Sequence, residues 1–186
     1  MEPVQAAVLA ALIETEQGPA FLMEIRSLSV PQPGEICFPG GHMDPEESPE
    51  RTALREAEEE LGIDPGSVRV AEILEPEHMW KGRIYPVIAF ADPSVLSRLT
   101  VSEEEVSGIF LLPLRWLREN APAHYDLSDY ENDRLPALLR EYLTHYRSVR
   151  DSGIDTWYWE YRGHGIWGLT ARILRRLLTA DSLKRI

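Results

Sequence analysis

The sequence predicts an α+β fold in which strand-rich sheet is followed by one sharply bounded helix, then more sheet and a closing amphipathic helix. Three observations carry that expectation. Apolar runs of strand length open the chain, the apolar period becomes helical at Ser48 and returns to strand-like at Val68, and Gly- and Pro-rich breaks part the runs. The first strands are Val4 to Ile13, Ala20 to Arg26 and Glu35 to Phe38, separated by Glu16-Gln17-Gly18-Pro19 and Pro31-Gln32-Pro33-Gly34. A helix from Ser48 through Leu61 follows, with Ser48 as N-cap, Pro49 suited to the first helical position and Gly62 as the stop. Strands at Val68 to Leu74 and Ile84 to Ala91 lead to an acidic loop, Ser102-Glu103-Glu104-Glu105. Beyond it come a strand from Val106 to Leu111 and a short helix from Pro113 to Asn120. The stretch 121–155 is polar and Tyr-rich, partly helical between Pro136 and Tyr146, and reads as an insertion that builds either a homodimer interface or a lid. An aromatic strand, Thr156 to Tyr161, a turn at Gly163-His164-Gly165 and a helix from Leu169 to about Leu178 complete the pattern. No repeat or linker divides it, so a single domain over 1–186, with the insertion at 121–155, is expected.

Composition narrows the partners. A net charge of -12 repels a nucleic-acid backbone and an anionic membrane surface alike. Anions can still be held by a few Arg or Lys side chains, or through divalent cations gripped by carboxylates. The single cysteine, Cys37, forms no intramolecular disulfide, so a cytoplasmic address is expected. The apolar run Ala6 to Ile13 is too short to span a bilayer. Histidines 42, 78, 124, 145 and 164 show no ligand spacing, and no zinc site is assigned.

The helix carries the chemistry. At 100° per residue, Glu56, Glu59 and Glu60 fall at i, i+3 and i+4 and share one face, while Ala53, Leu54, Ala57 and Leu61 form an apolar stripe on the other side. The stripe is expected to dock on the sheet and the three carboxylates to point away from it. Neighbouring carboxylates repel one another unless a cation or an arginine compensates, and oxygen ligands suit hard ions such as Mg²⁺ or Mn²⁺. A glutamate run by itself is more often a solvated helix face. The spacing around this one decides otherwise. Gly41, five residues, Glu47, seven residues and then Arg55-Glu56-Ala57-Glu58-Glu59-Glu60-Leu61-Gly62-Ile63 match the Nudix box, Gly-x5-Glu-x7-Arg-Glu-U-x-Glu-Glu-x-Gly-U with U apolar, at every specified position. Chance would produce such a match on the order of once in a million chains of this length.

The resemblance to the Nudix hydrolase family implies an α/β/α sandwich with a mixed central sheet flanked by helices. It implies further that Glu56, Glu59 and Glu60, with the backbone carbonyl of Gly41, bind Mg²⁺ or Mn²⁺. Arg55 and Glu47 would form an ion pair bracing the loop against the helix. Bound metal would clamp a diphosphate and activate water for attack on phosphorus. Among Glu103, Glu104 and Glu105, Glu105 is the first candidate for an additional site carboxylate, with a solvated acidic turn as the alternative.

Further segments resemble the coenzyme A diphosphatase branch of the family. Its pattern Arg-Ser-x3-Arg-x3-Gly-x3-Phe-Pro-Gly-Gly is met in part by Arg26-Ser27, Gly34 and Phe38-Pro39-Gly40-Gly41. Pro31 stands at the point of the second Arg, and the loop to Gly34 is one residue shorter. Ile84-Tyr85-Pro86-Val87, Glu105-Val106, Leu112-Pro113-Leu114 and Ile166-Trp167-Gly168-Leu169-Thr170-Ala171 are similar to the same branch, the last read as a strand-to-helix junction. The implied substrate is coenzyme A or an acyl derivative, cut to 3',5'-ADP and a phosphopantetheine product. ADP-ribose or another nucleoside-diphosphate derivative is the runner-up. A non-catalytic ligand-binding regulator is a third reading, disfavoured by the intact box and the lack of a basic recognition helix. Arg26, Lys81 and Arg83 are the candidate substrate cations, with surface charge as the alternative for each. Trp80 is a candidate stacking surface for a base.

Overall fold

The computed structural model describes residues 4–79, 82–127, 134–145, 155–184 and 186. Lys81 and Trp80, two of the candidate substrate contacts, lie outside them, as does part of the segment read as an insertion. The expected mixed sheet between helices is present.

The main sheet is built on β1 (Val4–Ile13) and β7 (Gly82–Ala91), which run parallel from Val4 opposite Gly82 to Ile13 opposite Ala91. Among the described residues, the other pairings of this sheet are antiparallel. Gly82 is required where β7 starts, because a Cβ there would collide with the Val4 carbonyl oxygen. On one edge of β1, β2 (Ala20–Arg26) pairs with the C-terminal end at Leu12 and Ile13. The short β4 (Gly40–His42) pairs with the N-terminal end at Ala6 to Val8. The two partners therefore part along β1, and β3 (Ile36–Cys37) extends β2 on the far side. β8 (Val106–Pro113) also pairs with β2, while β5 (Val68–Ile73) and β6 (Glu77–Met79) pair with β7.

Helix α1 (Pro49–Leu61) has the expected ends. Ser48 accepts a hydrogen bond from the Arg51 N–H at 3.2 Å, Pro49 opens the first turn, and Gly62 closes the helix at φ 68°. Ala53, Ala57 and Leu61 are fully buried against the face of the sheet that carries Leu9, Ala11, Val87 and Ala89. The other face packs against α2 (Leu114–Glu119), α4 (Gly168–Leu177) and the aromatic residues Trp159 and Tyr161.

Those aromatics belong to a second, three-stranded sheet. β10 (Asp155–Tyr161) pairs with β11 (His164–Trp167) on one side and β9 (Ala123–Asp126) on the other. The reversal between β10 and β11 sits at Arg162-Gly163, both at positive φ, one residue earlier than the sequence suggested, and His164 and Gly165 already lie in β11. α3 (Ala137–His145) packs Leu139 and Leu143 beneath this sheet with Tyr158 and Trp167. Among the described residues, no helix is long and apolar enough to cross a membrane.

Candidate active site

Why α1 comes so close to the sheet follows from its buried stripe. Two of its inward positions are alanines, and a small side chain lets helix and strand backbones approach. The strand it meets at its acidic end is equally pared down. A Cβ on Gly40 would collide with the Ala7 carbonyl oxygen, and a Cβ on Gly41 would stand 2.5 Å from the Glu56 carboxyl carbon. The glycine pair of β4 is thus pressed between β1 and the glutamates of α1, and any larger residue at Gly41 would displace Glu56.

The three glutamates occupy different surroundings. Glu60, 4% exposed, accepts a hydrogen bond from the Gly40 N–H at 2.8 Å. It does not point away from the sheet as the helical wheel suggested. It stands on the border of the acidic face and is drawn in by the Gly40 amide. Burial pushes its carboxyl up to about 7, with the negative charges of Glu56 and Glu105 adding to the rise. Glu56 is partly buried and its pKa is raised, again chiefly by burial, while Arg55 pulls it down. Glu59 remains 58% exposed.

Arg55 ties this face together. Its guanidinium donates to Glu47 at 3.2 Å, to Glu56 at 2.9 Å, to Glu59 at 3.0 Å and to the His42 carbonyl at 3.0 Å. The pairing with Glu47 is the one expected from the sequence. Glu47 also accepts from the Thr52 hydroxyl at 2.8 Å, and these bonds, Arg55 first, hold its carboxyl down to about 2. One arginine thereby anchors the 42–47 loop to α1 and aims two of the glutamates.

A fourth carboxylate was not anticipated. Glu24 of β2 is 1% exposed, and its Oε1 has no hydrogen-bond partner, while Oε2 faces the Cys37 thiol at 3.8 Å. Burial raises its pKa well above the carboxylate range, reinforced by Glu60 and opposed by Arg26. The signal was available in the sequence, because Glu24 is a charge flanked by Met23 and Ile25 in the apolar run from Ala20 to Ile25. Glu105 is exposed in the turn before β8, with its backbone carbonyl accepting from the Ser27 N–H at 2.8 Å. Its charge acts on Glu24, Glu56 and Glu60 together. Arg26 ends β2, donates from Nε to the Pro31 carbonyl at 2.8 Å, and lines a cleft beside Gly40. Arg83 is exposed on β7 and is not among the side chains that line that cleft.

This donor set fits a hard divalent cation. Glu24, Glu56 and Glu60 are pushed toward their neutral forms by burial and by one another, an energetic cost that a doubly charged ion would remove. Among the described residues, no three acidic, histidine or cysteine side chains converge on one metal position. Glu56 and Glu59 are instead held by Arg55, and Glu60 by Gly40.

Comparison with known proteins agrees with this arrangement. The NUDIX domain family pattern matches residues 3–130. The uncharacterised Nudix hydrolase NudL of Escherichia coli (strain K12) is 33% identical over 183 residues, covering 97% of this chain and 84% of NudL. Nudix hydrolase 3 of Caenorhabditis elegans is 29% identical over 182 residues, covering 93% of this chain and 71% of that protein. Among solved structures, DR0079 from Deinococcus radiodurans superposes with a TM-score of 0.52 at 17% identity, covering 93% of this chain and 82% of that one, a likeness of fold.

Proposed function

The chain belongs to the Nudix family and is a Nudix hydrolase, and we propose that it cuts the diphosphate linkage of coenzyme A or an acyl derivative, releasing 3',5'-ADP and a phosphopantetheine product. The observation that carries the diphosphate chemistry is the packing of Glu56 and Glu60 against the Gly40-Gly41 strand, with Arg55 and Glu47 bracing the loop between them. The choice of coenzyme A rests on the resemblance of Arg26-Ser27, Phe38-Pro39-Gly40-Gly41, Ile84-Tyr85-Pro86-Val87 and Ile166-Trp167-Gly168-Leu169-Thr170-Ala171 to the coenzyme A diphosphatase branch.

In this reading Glu56, Glu59 and Glu60, with the Gly41 carbonyl, hold Mg²⁺ or Mn²⁺, and Glu105 stands beside them as an additional carboxylate. The ion supplies Lewis-acid neutralisation of the diphosphate and lowers the pKa of water at the site. The protein's own groups position everything else. Arg55 fixes the directions of Glu56 and Glu59, and the Gly40 N–H fixes Glu60. Arg26, with Lys81 and Arg83, supplies positive charge for the substrate phosphates. The substrate is a small nucleotide-like molecule and the address cytoplasmic, consistent with a net charge of -12 and one cysteine. The test is a panel of coenzyme A, acyl-coenzyme A, ADP-ribose and a dinucleoside polyphosphate with Mg²⁺, Mn²⁺ or neither. Metal-dependent release of 3',5'-ADP is expected, and a preference for ADP-ribose would replace coenzyme A as the substrate.

A further inference from the structure

A cleft of about 600 Å³ opens beside Gly40, between the β3–β4 end of the main sheet and a wall made by β10, β11 and α4. Its volume is that of a small-molecule site. At one end it is bounded by Arg26, Cys37 and Gly40, and Gly40 is the residue whose N–H holds Glu60, so the cleft adjoins the strand against which the glutamates pack. The rest of the lining is largely hydrocarbon and indole, including Ile84, Trp157, Trp167, Leu169 and Ile173.

Several polar members of that lining are already engaged by the fold. The Thr156 hydroxyl accepts from the Gly168 N–H at 3.0 Å, and the Thr170 hydroxyl donates to the Ile36 carbonyl at 2.9 Å. Arg172 donates to the His78 carbonyl at 3.0 Å and faces Glu77 at 3.7 Å, while Asp155 pairs with His124 at 2.7 Å. These bonds leave the walls between them to side-chain hydrocarbon and indole, on which the apolar part of an occupant gains by leaving water. At the Gly40 end, Arg26 donates from Nε to the Pro31 carbonyl, and its charge acts on Cys37, Glu24 and Glu60.

We propose that this cleft seats the arm joined to the diphosphate, with the hydrocarbon portions of a pantetheine-like chain and its acyl extension lying on Trp157, Trp167 and Leu169, which set how long an arm is accepted. This assignment rests on the coenzyme A reading of the site. Each methylene withdrawn from water onto these walls should improve binding about fourfold until the cleft is full.

The experiment measures kcat and KM for coenzyme A, hexanoyl-coenzyme A and ADP-ribose, with Mn²⁺, on the wild-type enzyme, Leu169→Trp and Leu169→Ala, after thermal melting has shown each variant folded. Leu169→Trp, which fills the cleft, should lower the ratio of kcat/KM for hexanoyl-coenzyme A to that for ADP-ribose at least tenfold, through KM and not kcat. Leu169→Ala should lower the same ratio by a smaller factor. A wild-type enzyme that prefers coenzyme A, with variants that change every substrate alike, overturns the cleft assignment and leaves the substrate reading standing. A wild-type enzyme that hydrolyses ADP-ribose and neither coenzyme A compound overturns both. Should Leu169→Trp fail to fold, Leu169→Ala decides alone, and an unchanged ratio there overturns the assignment.

Discussion

The two faces of the main sheet are packed by different rules. Against α1 four alanines, Ala7 and Ala11 from β1 and Ala53 and Ala57 from the helix, are fully buried beside Leu9 and Leu61. On the opposite face Phe21, Phe38, Trp159 and Tyr161 fill the space, Phe21 meeting Phe38 edge-on at 5.8 Å between ring centres. The small-residue face brings a helix close enough for its carboxylates to touch a glycine strand. The aromatic face is likewise buried, and the cleft opens at its edge beside Gly40. Small side chains on one face position the charge, and large ones on the other wall the cleft proposed to receive the substrate's arm.

That contrast can be broken first at the charge. Glu59→Gln should lower kcat about 100-fold or more at saturating metal while melting within a few degrees of wild type, because its partner Arg55 makes only a surface pair with it. Near wild-type turnover would remove Glu59 from the site. Gly41→Ala tests the contact between strand and helix. Its Cβ would meet the Glu56 carboxyl at 2.5 Å, and a displacement of that size should cost about 100-fold in kcat/KM. Activity within threefold of wild type would show that Glu56 can move without consequence.

The packing itself is the next target. Ala57→Leu overfills the small-residue face and should cost about 1–3 kcal/mol by chemical denaturation, with a loss of activity as α1 shifts. Ile166→Val on the aromatic face should cost about 0.5–1.5 kcal/mol and leave kcat alone. If the two variants lost activity in proportion to their stability, the faces would not divide the work as described.

Smallest is a pH effect on the metal-free protein. Glu60 has a folded pKa raised to about 7 from an ordinary 4.5, so the folded state retains a proton that the unfolded chain releases. Stability from this group is full below about pH 4.5 and is lost as pH rises toward 7. Glu47, lowered to about 2, works in the opposite sense, its contribution being present above 4.5 and lost as pH falls toward 2. Urea denaturation between pH 5 and 7.5 should therefore show a downward slope that Glu60→Gln reduces. An unchanged slope would place the titration elsewhere.

How much of this was legible in the sequence depended on whether a feature is local. α1, its Ser48 cap and its Gly62 stop could be read because spacing along one helix dictates them, and the Arg55–Glu47 pair because the family motif implies it. β4, β6 and β9 were not foreseen. Each is three or four residues long, glycine-bearing or polar, and is a strand only because β1, β7 or β10 offers a free edge. The inward turn of Glu60 was missed for the same reason, since the Gly40 amide that draws it in comes from twenty residues away. Glu24 is the exception. A charge set inside the apolar run from Ala20 to Ile25 is visible without any structure, and its partners are all that the fold adds.

The central claim, that the carboxylates of α1 hold a divalent cation against the Gly40-Gly41 strand, is tested most directly by titrating Mn²⁺ into the wild-type protein and into Glu56→Gln and Glu60→Gln, following free Mn²⁺ by electron paramagnetic resonance. The account predicts saturable binding in the wild type and an affinity about 10–100-fold weaker, or lost, in each variant. Equal Mn²⁺ affinity in all three proteins would contradict it.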